Sequence, residues 1–383
     1  MPMQLKHNSH KIYVVETQAD LLLCTQTIAP LPVIALDVEF DRNRFRYGFQ
    51  LNLIQIASEK ECFLIDPLKK LQLEPLWKVL RNAQQLKILH AANEDIQLLK
   101  SVGCPIQSVF DTEIAARLLN LPFNSLQGML STVLGITIEK GQQRSDWGKR
   151  PLTGQQLLYA VNDVSYLHKL YAKILDLLQQ KNLLWIFEQE CVALTQKEAE
   201  SEEEKLKSLF NSCSEYEFFV ITSIYHFREK IAQQLNKPPS QVFHNDVLWD
   251  LLKNPQGTLA EWLGLKGIHP YAKKEEFLEE LETLINNAHA LAQKKGLAKE
   301  KKFSGMTAEQ RKALQDERDA VFMPIRNFLA QEYGEQGVTL ILSKKLMDSL
   351  VSGNLKISQL KPYQQQLLIV TAQKLEINLE KYN

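Results

Sequence analysis

The sequence predicts an α/β domain with a mixed sheet, followed by two small all-α domains. Short β-type runs come first in a hairpin-rich group and then alternate with helical segments, which indicates a mixed sheet. From residue 152 onward the apolar spacing is almost entirely helical. Charged segments at 201–205 and 294–302 interrupt this helical region and suggest linkers. We therefore expect three domains, at 1–205, 213–293 and 303–383.

Local patterns predict the individual elements of the first domain. Apolar runs bounded by polar breaks predict strands at 11–15, 33–40, 51–56, 62–66, 87–90 and 109–111. Helical spacing predicts helices at 17–28 (with Thr17 as its cap), 75–86, 93–100, from 112, and from 152 to about 180 and on toward 199.

Composition narrows the class of protein. Basic and acidic residues both number 45, so the formal net charge is zero, and 45% of residues are hydrophobic. A zero total excludes a global basic field but not a local basic groove for nucleic acid. The five cysteines form no Cys-x-x-Cys pair, which argues against a zinc site or a disulfide framework. With no apolar run suited to a bilayer and no secretion signal, we expect a cytoplasmic protein with no membrane partner.

Asp37 and Glu39 are two positions apart on a predicted strand, so both carboxylates project from the same face. One interpretation is a solvated edge strand with acidic residues on its wet side. The other is a pair of ligands for a hard cation such as Mg²⁺, which prefers oxygen donors. This pair alone does not decide between them, because an Asp-x-Glu pattern is common.

Two later segments contain further acids in suitable places. Asp95 follows His90 at a strand-to-helix junction, where open α/β sheets place ligands. Tyr159 and Asp163 are four residues apart on a predicted helix and share one face. Taken separately, the first segment is also explained by ordinary helix capping and the second by a surface pair.

A basic loop with one aromatic residue precedes the long predicted helix. Basic groups beside an aromatic suit phosphate contact and base stacking. An ordinary exposed loop anchored by its tryptophan explains the same pattern. The substrate-binding candidates in this loop are Gln143, Arg144, Trp147, Lys149 and Arg150.

The ordered set of motifs resembles ribonuclease D. The motifs are Leu36-Asp37-Val38-Glu39-Phe40, Leu53-Ile54-Gln55-Ile56, His90-Ala91-x-x-Glu94-Asp95, Gln143-x-Ser145-Asp146-Trp147-x-x-Arg150-Pro151-Leu152 and Tyr159-Ala160-x-x-Asp163. The region 213–290, with Leu248-Trp249 and Leu263-Gly264-Leu265, is similar to the helical domain that RecQ-type helicases share with ribonuclease D. The region 307–383 looks like a second, divergent copy.

The resemblance implies a ribonuclease H-like fold and a 3′-to-5′ exoribonuclease of the four-acid superfamily, in its tyrosine subclass. It implies two divalent ions, Mg²⁺ or Mn²⁺, held by Asp37, Glu39, Asp95 and Asp163, with Tyr159 orienting the attacking water. The implied partner is RNA with a structured 3′ end, such as a tRNA precursor.

Two other functions remain open from the sequence. A DNA exonuclease of the same superfamily would use the same acids, and a catalytically silent RNA-binding scaffold would not need them. The sequence leaves the oligomeric state open, although a monomer is favoured. We also expect the helical tail to be separable, so that a chain ending near residue 205 stays folded.

Overall fold

The computed structural model describes residues 4–7, 10–138, 141–198, 200–253, 264, 268–301 and 306–383. Within these ranges, no helix combines the length and the apolar character that crossing a bilayer requires. Of the motif Leu263-Gly264-Leu265, only Gly264 falls within the described residues.

One mixed sheet forms the centre of the first domain. In the described residues it has seven strands in the order β1-β2-β5-β4-β3-β6-β7. The pairs β2–β5, β3–β6 and β6–β7 are parallel and the other three are antiparallel. The strands are β1 (Gln4–His7), β2 (His10–Val15), β3 (Val33–Arg42), β4 (Phe49–Ala57), β5 (Glu61–Ile65), β6 (Leu86–Leu89) and β7 (Val109–Asp111).

Helices cover both faces of this sheet. Those of the first domain are α1 (Gln18–Ile28), α2 (Glu74–Leu80), α3 (Asn93–Ser101), α4 (Thr112–Leu118), α5 (Leu126–Leu134), α6 (Gly154–Ser165), α7 (Leu167–Gln180) and α8 (Leu184–Gln196). The predicted cap Thr17 accepts a hydrogen bond from the Asp20 amide. The predicted α/β class with a mixed sheet is confirmed.

Strand β3 separates two apolar cores by simple alternation. Leu36 and Val38 pack with α1, α2 and α3 in one core, whereas Ala35 packs with α6 and α7 in the other. Because side chains alternate along a strand, Asp37 lies on the α6 side of the sheet. The hairpin partner of Asp37 on β4 is Gln55, which therefore shares that side.

Three predictions about element bounds are wrong. The helix predicted at 75–86 ends at Leu80, and Leu86 already belongs to β6. The helix predicted to be continuous from 152 to 180 is two helices, because the first ends and the second begins at Tyr166. The first of these begins only at Gly154, with Thr153 and Gln156 forming a capping box. The charged segment at 201–205 is not an open linker but starts a helix, with Ser201 as its cap.

In the part of the chain that the structure describes, the next five helices surround a separate core. They are α9 (Glu202–Leu209), α10 (Glu215–Leu235), α11 (Pro239–Val242), α12 (Asn245–Lys253) and α13 (Glu275–Lys294). Phe227, Leu248 and Leu281 are buried at its centre. We call this group the first helical unit. Its core is built from its own helices, which is what a domain needs to fold as a unit.

The last helices pack directly onto the first domain. They are α14 (Ala308–Ile341, broken at Gly334), α15 (Lys344–Val351) and α16 (Pro362–Lys374), which we call the last helical unit. Their buried residues, including Phe322 and Leu368, belong to the same apolar core as Phe110 and Ile114 of the sheet domain. A separable tail requires a core of its own, whereas the last helical unit shares the core of the first domain.

The contact between the last helical unit and the first domain has two features. The backbone at Gly334 closely approaches Asn120, and a buried polar cluster forms around Glu190. Gly334 has a φ of +70°, and a Cβ there would lie 2.3 Å from the Asn120 side chain. The Glu190 carboxylate, buried on α8, accepts a hydrogen bond from Lys361 Nζ at 2.6 Å and another from the Tyr363 hydroxyl. Since buried carboxylates need such partners, the last helical unit completes the environment of α8.

Candidate active site

Three carboxylates converge where α6 crosses β3. The ligand oxygens of Asp37, Glu39 and Asp163 all lie within 4.8 Å of one another. The strand positions two of them on one face, and the helix turns Asp163 toward that face because Ala160 and Val164 on the same side are buried against the sheet. Three of the four predicted acids therefore lie in one cluster.

The fourth predicted acid, Asp95, approaches from the first turn of α3 and is buried. Burial and, after it, the negative charge of Asp37 raise the pKa of Asp95 well above its ordinary value. Its ligand oxygens are not among those that lie within 4.8 Å of one another. The short turn before α3 is held by Asp111, which accepts hydrogen bonds from the amides of Ala91 and Ala92 at 3.0 and 2.8 Å. Asp111 is thus a positioning residue that sequence reasoning missed.

Burial raises the pKa of every acid in the cluster, and the charges of neighbouring acids raise the pKa of Glu39 and Asp163 further. Burial raises the pKa of Asp37 from 3.8 to about 7. Burial and the charges of Asp37, Asp163 and Asp95 raise the pKa of Glu39 to about 11. The pKa of Asp163 is raised well above its ordinary value, by burial first and by Asp37 second. Carboxylates this close do not ionise together unless cations balance them.

The donor set fits hard divalent cations. Three carboxylates on rigid elements, with Asp95 beside them, provide the oxygen ligands that Mg²⁺ and Mn²⁺ prefer. Gln55, opposite Asp37, is fully buried, and its carboxamide nitrogen and oxygen have no protein partner among the described residues. A buried, unpartnered amide beside this cluster fits a site that holds ions and their water.

Tyr159 lies one helical turn from Asp163, and its hydroxyl donates a hydrogen bond to that carboxylate. Its ring packs on Trp147 with centroids 6.0 Å apart. Burial and the neighbouring acids raise the pKa of Tyr159 above its ordinary value, so the phenol stays protonated at neutral pH. A protonated phenol orients a water molecule rather than deprotonating it.

His90, at the end of β6, is part of the scaffold. Its Nδ1 lies 2.9 Å from the Thr112 hydroxyl. Burial lowers the pKa of His90 to about 4, so the ring is neutral at pH 7. A neutral, hydrogen-bonded ring stabilises the junction between β6 and α4.

The expectation that Arg150 contacts substrate needs correction. Its guanidinium donates to both carboxylate oxygens of buried Asp66, at 2.6 and 2.7 Å. The remaining donors go to the carbonyls of Asn52, Trp147 and Lys149. All five N–H groups are therefore used within the protein, so Arg150 holds the loop to the sheet instead of binding phosphate.

The expectation of base stacking on Trp147 needs the same correction. The side chain is 2% exposed and belongs to the apolar core, where it supports Tyr159. Gln143, Arg144 and Lys149, by contrast, are exposed. Lys149 is 77% exposed, and its Nζ lies 3.9 Å from the Asp146 carboxylate. These three side chains are accessible to a ligand, and their role in substrate binding stays a prediction.

Comparison with known proteins agrees with this geometry. A family model for the 3′-5′ exonuclease matches residues 12–179, and one for the HRDC domain matches residues 219–285. Ribonuclease D of Shewanella sp. (strain ANA-3) is 36% identical over 191 residues, which is 49% of each chain. Ribonuclease D of Escherichia coli K12 is 30% identical over 262 residues, covering 66% of this chain and 70% of that protein.

The match thus spans about half the length of the Shewanella relative. The crystal structure of Escherichia coli RNase D superposes with a TM-score of 0.75, at 24% identity, over 95% of this chain and 99% of that one. Fold and site together define a protein with a 3′-5′ exonuclease domain joined to helical units. The chain belongs to the ribonuclease D family.

Proposed function

We propose that this protein is a metal-dependent 3′-to-5′ exoribonuclease. The observation that carries the proposal is the convergence of Asp37, Glu39 and Asp163 within 4.8 Å, with the Tyr159 hydroxyl bonded to Asp163. The Escherichia coli relative is described as an exoribonuclease involved in structured RNA processing. Maturation of tRNA 3′ ends is the role we propose here, in the cytoplasm and by a monomer.

Asp37, Glu39, Asp95 and Asp163 would hold two divalent ions, Mg²⁺ or Mn²⁺. Bound ions of this kind neutralise charge on the attacking and leaving oxygens and acidify the attacking water. Water attacks the terminal phosphorus, and the bond from phosphorus to the 3′ oxygen of the preceding nucleotide breaks. That oxygen takes up a proton, and a nucleoside 5′-monophosphate is released.

Tyr159 determines where the attacking water lies. Because the phenol O–H donates a hydrogen bond to Asp163, its oxygen lone pairs are free to accept a hydrogen bond from water. This acceptor bond directs one water lone pair toward the phosphorus. Preorganisation of this kind contributes through positioning rather than proton transfer.

The test uses matched RNA and DNA oligomers labelled at either end. With Mg²⁺ present, the 5′-labelled RNA should shorten stepwise, and the 3′-labelled RNA should release its label as a mononucleotide. EDTA or Asp37→Asn should stop both reactions. Faster degradation of DNA would favour the DNA exonuclease, and RNA binding without any degradation would favour the scaffold.

A further inference from the structure

The tip of the β3–β4 hairpin combines arginine and aromatic residues directly after the catalytic strand. Its sequence is Arg42-Asn43-Arg44-Phe45-Arg46-Tyr47-Gly48. About 10 Å of strand separates Glu39 from Arg42, at 3.3 Å per residue. We call residues 42–48 the hairpin tip. Interleaved cations and rings of this kind are typical of single-stranded nucleic-acid contact.

Asp41 gives the hairpin tip a fixed shape. Its buried carboxylate accepts hydrogen bonds from the amides of Arg44, Phe45 and Arg46, with the shortest distance to each amide being 3.0 Å. The Asn43 amide also donates to the Gly48 carbonyl at 2.9 Å. A tip held by its own backbone presents its side chains with little ordering cost on binding.

Arg42 and Arg44, the first two arginines of the hairpin tip, are available for a ligand. Of the eleven arginines, six form ion pairs with carboxylates and Arg46 donates to Gln50. Across the described ranges, the arginines that form neither an ion pair nor a side-chain hydrogen bond are Arg42, Arg44, Arg144 and Arg311. Three of these four therefore lie on the hairpin tip or on the loop beside it.

The hairpin tip also joins the loop of Arg144 to the first helical unit. A Cβ on Gly148 would lie 1.7 Å from Arg46 Nη1, so the tip and that loop are in direct contact. On its other side, the Tyr47 amide donates to Asn236 Oδ1 at 3.3 Å, and its hydroxyl bonds to Glu229. The tip thus connects the catalytic strand to the end of α10.

Charge at this surface favours an anion. Arg42, Arg44 and Arg144 are exposed, and the Arg44 guanidinium is held 5.0 Å from the centre of the Phe45 ring. Two of the nearby acids offer little negative charge to the surface: Asp41 is buried, and the Glu229 side chain is 19% exposed. The exposed acid near Tyr47, Glu202, lies 3.9 Å from His226. Exposed guanidinium groups without carboxylate partners bind phosphate well.

We propose that the RNA strand reaches the acids across the hairpin tip, with Arg42 and Arg44 contacting its phosphates. The strand would pass between the end of α10 and the loop of Arg144. This inference rests on the proposed exoribonuclease function, and it assigns the path by which single-stranded RNA enters.

The test compares two double variants that lose the same charge. Arg42→Ala/Arg44→Ala alters the hairpin tip, and Lys169→Ala/Lys173→Ala alters the exposed face of α7. Binding of a labelled single-stranded RNA is followed by fluorescence anisotropy in EDTA, so that no cleavage occurs. The arginine variant should bind the RNA about 10-fold more weakly. Its plot of log K, where K is the association constant, against log salt should be less steep by about 1.4, as expected for two lost phosphate contacts.

A third variant separates the effect of positive charge on RNA binding from the effect of guanidinium geometry. Arg42→Lys/Arg44→Lys keeps both charges, so the salt slope should return while part of the affinity stays lost, because lysine lacks the guanidinium fork. Thermal unfolding of each variant checks that the hairpin is intact. An arginine variant with the same affinity and salt slope as the α7 variant overturns the proposed path.

Failure of the path and failure of the function give different results. If the wild-type protein degrades RNA but the arginine variant binds normally, the path is wrong and the function stands. If the variant loses affinity but the wild-type protein degrades no RNA, the path stands and the function is wrong. A wild-type protein that does not bind RNA in this assay overturns the path directly.

Discussion

Repulsion among buried and half-buried carboxylates is the main electrostatic feature at the scale of single residues. The cluster places Asp37 and Glu39 side by side, and burial raises the pKa of both. This arrangement costs stability unless cations are present, and the cations that it would hold are what would neutralise charge on a phosphodiester in the proposed cleavage. The site therefore exchanges stability of the metal-free protein for catalytic use.

The first prediction concerns pH and stability. Because the pKa of Asp37 rises from 3.8 in the unfolded chain to about 7 in the fold, the folded state holds the extra proton between those values. Stability of the metal-free protein should thus fall as pH rises from about 4 to about 7. Thermal unfolding in EDTA measures this fall, and Mg²⁺ should reverse it at pH 7.

Asp37→Asn provides the comparison for this effect, since an amide does not titrate. Its melting temperature in EDTA should fall less between those pH values than that of the wild-type protein. Identical pH profiles for the two proteins would show that Asp37 does not carry the effect.

The second prediction concerns the hydroxyl of Tyr159. Tyr159→Phe should lower the turnover number by about 10-fold to 1000-fold, because positioning of the water is lost while the ring still packs on Trp147. Tyr171→Phe removes a hydroxyl from α7, which is not part of the acidic cluster, and should leave the rate unchanged. If Tyr159→Phe cleaves RNA at the normal rate, Tyr159 has only a packing role.

At the scale of elements, the loop before α6 shows what local sequence patterns cannot reveal. The alternation on β3 is local and predicted that Asp37 and Glu39 share a face, and the four-residue spacing on α6 did the same for Tyr159 and Asp163. The resemblance to ribonuclease D implied that the two pairs meet, and in the structure Asp37, Glu39 and Asp163 do lie together. Arg150, by contrast, bonds to Asp66, which is 84 positions away in the chain. Nothing in the neighbouring sequence distinguishes this guanidinium from one that binds phosphate.

The third prediction tests the structural role of Arg150. Arg150→Ala should destabilise the fold by about 3 kcal/mol, because it leaves the buried Asp66 carboxylate without its partner. Lys149→Ala, at a neighbouring position that is 77% exposed, should change stability by less than about 0.5 kcal/mol. Urea denaturation measures both values, and equal stability of the two variants would contradict the assignment.

At the scale of the whole molecule, the two helical units relate differently to the nuclease. The first helical unit has its own core, whereas Phe322 and Leu368 of the last unit complete the core of the first domain. Sequence reasoning treated both units alike, since helical spacing identifies an apolar face but not the surface that covers it. The domain bounds 1–205, 213–293 and 303–383 stay predictions.

The fourth prediction is that the last helical unit is needed for a stable nuclease. A chain ending at residue 301 should aggregate or unfold at a lower temperature, because α4 and α8 lose their apolar cover and Glu190 loses Lys361 and Tyr363. The melting temperature and light scattering of the truncated chain measure this. If the truncated chain is as stable as the full one, the prediction of a separable tail is correct.

The central claim is that the acidic cluster performs metal-dependent cleavage of RNA. Asp163→Asn tests it most directly, because it removes one carboxylate of the cluster while asparagine keeps the shape. Single-turnover cleavage of a 5′-labelled RNA in Mg²⁺ should slow by about 1000-fold or more, from lost charge stabilisation. RNA affinity in EDTA should stay within about 3-fold, since phosphate contacts dominate binding. Cleavage by Asp163→Asn at the wild-type rate would contradict the account.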